Sequence, residues 1–173
     1  MRIRKPLTAL TAVLGLVVGG VLAASQASAR GDTWELFPFE TSTFTGYCDF
    51  PVLMTVPRNN AYQKVLTAPR GTTTLLLNGA LRLTFTNEAN GKTVTENVTG
   101  NGKAIINADD SLSIRQTGHI GLITLTAADA ARFHLPPLAV IGGVLSEEVG
   151  PDFNYTSVTM RGHIQDNICA TLS

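Results

Sequence analysis

His119, His134 and His163 are the only imidazoles in the 173-residue chain. A proton-transfer or metal site would need at least two of them to meet a carboxylate. They lie on separate segments with no HxH or HExxH spacing, so they read as solvated or strand-edge side chains. His163 has the most useful neighbour, because Arg161 shares its expected outward face and the two together would suit an anion or a sugar carboxylate. Asn107-Ala108-Asp109-Asp110-Ser111 gathers oxygen ligands in a turn, as calcium sites of extracellular domains do. It has no glycine at a fitting position, and Asx-rich turns close on their own hydrogen bonds without metal. Glu147, Glu148 and Asp152 are carboxylates of the kind glycoside hydrolysis employs. Neighbours on a strand point to opposite faces, so Glu147 and Glu148 do not form a facing pair. No G-x-S-x-G elbow anchors a nucleophile. Gly100-Asn101-Gly102 reads as a turn rather than a phosphate cradle, since no helix is expected behind it. The expectation is therefore no catalytic residue, no cofactor and no metal.

The elements that must carry these residues read as short strands. In LRLTFTN (81–87), Leu81, Leu83 and Phe85 alternate with Arg82, Thr84 and Thr86. Glu88-Ala89-Asn90-Gly91 follows, then KTVTENV (92–98), with Asn90-Gly91 suited to the positive φ angles of a hairpin turn. KAIIN (103–107) and SLSIRQT (111–117) are the next strands, separated by Asp109-Asp110. HIGLITLT (119–126) is apolar on both faces, as a central strand is. AADAARF (127–133) has helix-favouring composition for one or two turns and ends before Pro136-Pro137. LAVIGGVL (138–145) reads as a buried strand. YTSVTMRGHI (155–164) places Val158, Met160 and Ile164 on one face and Tyr155, Ser157, Thr159, Arg161 and His163 on the other.

Upstream, DTWELFPFETSTFTG (32–46) is extended and aromatic, interrupted by Pro38. VLMTV (52–56), YQKVL (62–66) and TTTLLL (72–77) complete about nine or ten strands at the spacing of a sandwich or barrel. No βαβ alternation occurs, which excludes a parallel sheet. The fold expected is all-β, an antiparallel sandwich or closed barrel with one short helical turn.

The N-terminus reads as an export signal. Arg2, Arg4 and Lys5 precede an apolar run over 7–24, and Ala27-Ser28-Ala29 supplies a small-residue cleavage site. The division expected is a cleavable signal over 1–29, an extended segment over 30–46 and a single β domain over 47–173. Cleavage leaves 144 residues, with 10 basic against 13 acidic side chains. No basic run remains, so nucleic acid and an anionic membrane surface are not expected partners. The location expected is extracellular.

Cys48 and Cys169 are the only cysteines, 121 positions apart. In an exported chain a pair of this kind forms one disulfide. No C-x-x-C spacing and no neighbouring histidine at ligand spacing favours metal instead.

Cys48-Asp49-Phe50-Pro51-Val52, the hairpin LTFTNEANGKTVTENVTG (83–100) and the terminal GHIQDNICATLS (162–173) resemble secreted proteins of high-GC Gram-positive bacteria such as streptomycetes. The resemblance spans most of the exported part. It implies export, an all-β domain and the same cysteine pair, and it implies no activity. Asn97-Val98-Thr99 and Asn154-Tyr155-Thr156 fit the glycan-acceptor pattern, but a bacterial host would leave them unmodified. Arg30-Gly31-Asp32 spells an integrin-type tripeptide, a match that three residues reach easily by chance.

The function expected is a secreted, non-enzymatic β domain that binds a cell-surface or extracellular ligand. Trp34, Phe37, Phe39 and Phe44 either offer a surface for it or pack over the core, the simpler reading. The alternatives are a small hydrolase or isomerase assembled from His119, His163, Asp109, Asp110 or Glu148, and a passive envelope component.

Overall fold

The structure is a computed structural model, described here for residues 33–68, 71–119 and 123–173. Residues 1–29, with the expected signal, and Arg30-Gly31-Asp32 lie outside that set. Among the described residues ten strands and two short helices follow one another in the order β1 (Glu35–Leu36), β2 (Ser42–Phe44), β3 (Val52–Thr67), β4 (Thr73–Asn87), β5 (Thr93–Asn97), β6 (Gly100–Ile106), β7 (Leu112–Gly118), β8 (Ile123–Thr124), α1 (Ala127–Phe133), β9 (Leu138–Val149), β10 (Tyr155–Asn167) and α2 (Ile168–Leu172). All strands pair antiparallel in one sheet of order β1-β3-β4-β6-β7-β9-β10, with β2 on β3, β5 on β4 and β8 on β9. β1 and β10 end this order without meeting, so the closed-barrel expectation fails and the sheet is open.

A row of glycines crosses the sheet. Ala61 pairs with Gly79, Gly79 with Gly100, Gly100 with Gly118, Gly118 with Gly143 and Gly143 with Gly162, one residue from each of six neighbouring strands. At Gly79 φ is +141°, and a Cβ there would lie 2.1 Å from the Asn60 carbonyl oxygen; at Gly162 φ is +150°, and a Cβ would lie 2.0 Å from the Gly142 oxygen. Only glycine allows backbones this close in this conformation. β6 begins and β7 ends at this line, so only β3/β4 and β9/β10 continue beyond it as two arms. Glycine kinks of this kind let a sheet bend sharply.

The arms fold onto each other. Val52, Met54, Leu83 and Phe85 of the first arm share one apolar cluster with Leu138 and Val140 of the second and with Ile168 and Leu172 of α2. The second arm is covered on its other side, where Ile141 packs with Ile123, Leu125 and Ala130 beneath α1. This two-sided burial explains the unbroken apolar run of LAVI (138–141). Thr126 caps α1 by accepting the Asp129 amide at 3.1 Å, and Arg132 fixes the helix to the Tyr155 carbonyl oxygen at 3.0 Å.

Cys48 and Cys169 are joined, with Cα atoms 5.3 Å apart. The bridge ties the residues leading into β3 to α2, the short helix that follows the last strand. Asn167 caps α2 through its side chain, which accepts the Ala170 amide at 3.3 Å, a helix start that the alternation reading passed over. At the other end of α2, buried Asn87 donates to the Leu172 carbonyl oxygen at 3.0 Å.

Several expected strand limits change. VLMTV and YQKVL are one strand, continuous through a bulge between Thr55 and Arg58, where Pro57 needs no ladder partner. TTTLLL and LRLTFTN likewise form the single strand β4 across Gly79. Gly100-Asn101-Gly102 is the start of β6 rather than a turn. HIGLITLT is not a central strand: among its described residues only Ile123 and Thr124 pair, and only with β9. A bulge between Tyr155 and Ser157 turns Tyr155 inward beside Val158 and Met160, against the expected alternation.

Candidate functional site

The residues singled out by sequence are scattered. His119 is exposed after β7, its Nδ1 3.2 Å from the Gln165 side-chain oxygen. His134 is the exposed left-handed cap of α1, with φ +55°. His163 is exposed with its ring over Gly142, and Arg161 is exposed two residues before it. Asp109 is fully engaged in its own turn, accepting the Ser111 amide at 3.1 Å and the Ser111 hydroxyl at 2.7 Å. These bonds, the hydroxyl's first, hold its carboxyl below the ordinary range. Asp152 is likewise lowered by the Asn154 side chain and amide. Among the described residues no three His, Cys, Asp or Glu side chains gather as a metal site. No hydrogen bond there joins two of His119, His163, Asp109, Asp110 and Glu148.

Two carboxyl environments were not visible in the sequence. Glu147 and Glu148 do face opposite ways, but Glu147 is deeply buried. Burial raises its pKa from 4.5 to about 7, against a weak opposing contact from the Gln116 amide at 3.5 Å. Burial also raises Tyr155, with Glu147 adding to the effect and a hydrogen bond from Thr124 opposing it. The second environment is a surface chain where the arms meet. Gln165 links His119 to Glu96, donating to the Glu96 carboxylate at 3.1 Å. Glu96 is raised by burial and then by neighbouring Asp166, which also accepts from Thr171.

The outer face of the sheet, opposite the core, is organised differently. Leu36 pairs with Tyr62, and strand alternation places Trp34, Lys64 and Leu66 on the same side. Trp34 is 47% exposed, Leu36 53%, Tyr62 46% and Leu66 37%. These are four of the five large exposed hydrophobic residues among those described, gathered at one sheet edge. The N-terminal aromatics thus divide. Phe37 and Phe44 are buried, with the Phe37 ring tilted 59° against Phe39 at 4.5 Å between centroids and its amide donating to the Ala61 carbonyl oxygen, while Trp34 faces solvent. From Tyr62 the outer face continues through its cross-strand partners Asn78, Asn101 and Thr117.

Sequence reasoning named Trp34 but not its companions, because Tyr62 and Leu66 join it only through the β1–β3 register. No protein-family model, curated protein or solved structure matches the chain.

Proposed function

We propose that this protein is an exported, non-enzymatic β domain that binds an extracellular polysaccharide on the outer face of its sheet. The observation that carries the reading is the cluster of Trp34, Leu36, Tyr62 and Leu66 at one edge. Contiguous apolar surface of this kind marks an interaction site. Aromatic rings combined with adjoining amides and hydroxyls suit sugars, whose rings have an apolar face and a polar rim. Asn78 and Asn101 continue from Tyr62 along the same cross-strand row. Support for export comes from the basic and apolar N-terminus, the Ala27-Ser28-Ala29 pattern and the oxidised cysteine pair. Among the described residues no helix is long and apolar enough to cross a membrane.

A second reading, a small hydrolase, draws on the Glu96–Asp166 proximity and its link through Gln165 to His119. Affinity electrophoresis separates the two. The protein should be retarded in gels cast with cell-wall or plant polysaccharides, and the Trp34→Ala/Tyr62→Ala variant should run as in plain gel. Absence of retardation, together with turnover in a glycosidase panel that Glu96→Gln abolishes, would replace the binding reading with the enzymatic one.

A further inference from the structure

Resting on that binding reading, we infer that the polysaccharide is acidic, a uronate-bearing polymer whose carboxylates are read by Lys103 and Arg115. These two residues are direct cross-strand partners on β6 and β7, and both are exposed. Like charges placed opposite each other destabilise a strand pair. Among the described residues neither side chain has a hydrogen bond or an ion pair that would offset this. Glu148 on the same face stands opposite Ser113 and accepts the Ser113 hydroxyl at 2.5 Å. Lys64, on β3 in the same cross-strand row, and Arg161, exposed on β10 opposite Val144, are further cations of the same face. The whole sequence carries equal numbers of acidic and basic side chains, so this is a local segregation of positive charge.

The pair lies where a chain seated on the aromatic edge would reach it. From Tyr62 on β3 to Arg115 on β7 is three strand spacings across and two residues along, roughly 16 Å. That distance suits a short oligosaccharide rather than a single sugar. Asn78 and Asn101 lie between, in position to bond hydroxyl groups of the intervening rings. The guanidinium of Arg115 forms a bidentate pair with a carboxylate, and Lys103 adds a compact charge beside it. A polyol phosphate would satisfy the cations but has no ring to stack on Trp34 and Tyr62, which is why the structure favours the uronate.

The test compares polygalacturonate with its carboxyl-reduced, neutral counterpart, at low and high salt. The expected result is at least tenfold tighter binding of polygalacturonate at low salt, with the preference falling as salt rises. Lys103→Gln/Arg115→Gln, with melting checked, should bring the ratio close to one while retaining the weaker neutral binding. Trp34→Ala/Tyr62→Ala should lose both polymers. Equal binding of the two polymers by the native protein, or an unchanged ratio in the Lys103/Arg115 variant, would overturn the acidic assignment and leave the binding reading standing. Tighter binding of polyglycerol phosphate would also overturn the uronate. Binding of neither polymer, or acidic binding that survives the aromatic variant, would overturn both.

Discussion

Replacing Glu147 by Gln removes a carboxyl that folding forces into apolar surroundings and keeps a side chain of the same shape. In the folded protein this group titrates at about 7, against 4.5 when unperturbed, and burial is the main cause. Below pH 4.5 it is neutral in both states and costs nothing. As the pH rises, the unfolded chain ionises first, so stability falls until the folded form also ionises near pH 7, and then levels off. At about 1.4 kcal/mol per pH unit this removes about 3 kcal/mol between pH 4.5 and pH 7. Glu147→Gln should therefore match the native protein at pH 4.5 and exceed it by about 3 kcal/mol at pH 8. Urea denaturation of both proteins at pH 4.5, 6 and 8 measures the difference. Glu96, whose raised pKa acts in the same direction, and Asp109 and Asp152, whose lowered values act oppositely, are present in both proteins and cancel. Parallel pH profiles for the two proteins, or a variant less stable at pH 8, would refute the reasoning.

Reduction of the Cys48–Cys169 bridge, or Cys169→Ser, should lower stability by about 4–5 kcal/mol in the chain-entropy account of a 121-residue loop, read by thermal melting, with the β signal in circular dichroism retained below the new Tm. Gly79→Ala and Gly162→Ala each push a Cβ into a facing carbonyl oxygen at positive φ. Each should cost about 2–3 kcal/mol by denaturant titration, whereas Gly91→Ala, whose Cβ meets no atom within 4 Å, pays only the backbone strain of about 1 kcal/mol. Asn87→Ala removes one of the two side-chain amides that donate to the Leu172 carbonyl oxygen, the Asn90 amide at 3.2 Å being the other, and should cost about 1 kcal/mol, with faster amide exchange in α2 than elsewhere.

The antiparallel β class, the β4–β5 hairpin around Gly91, the helix over 127–133 and the cysteine pairing were legible because each rests on local pattern or composition. The strand limits were not. Pro57 and Gly79 are breakers in sequence, yet a bulge accommodates the first and a tight interstrand approach requires the second. The glycine row is invisible along the chain, since its five members fall at irregular intervals and align only through pairing register. Tyr155 lies on the face opposite to the one strict alternation gives it, because one extra residue in a bulge reverses the pattern. The outer site was hidden for the same reason as the glycine row. Trp34 precedes β1 while Tyr62, Lys103 and Arg115 lie on β3, β6 and β7, and only pairing register brings them to one face.

Trp34 is the only tryptophan in the chain, so its fluorescence reports on the proposed surface without interference. At 47% exposure its indole is accessible to a stacking sugar ring. Titration with polygalacturonate oligosaccharides at low salt should give a saturable blue shift, with the same midpoint as calorimetric binding. Binding seen by calorimetry with the Trp34 emission unchanged would place the ligand elsewhere and contradict the account.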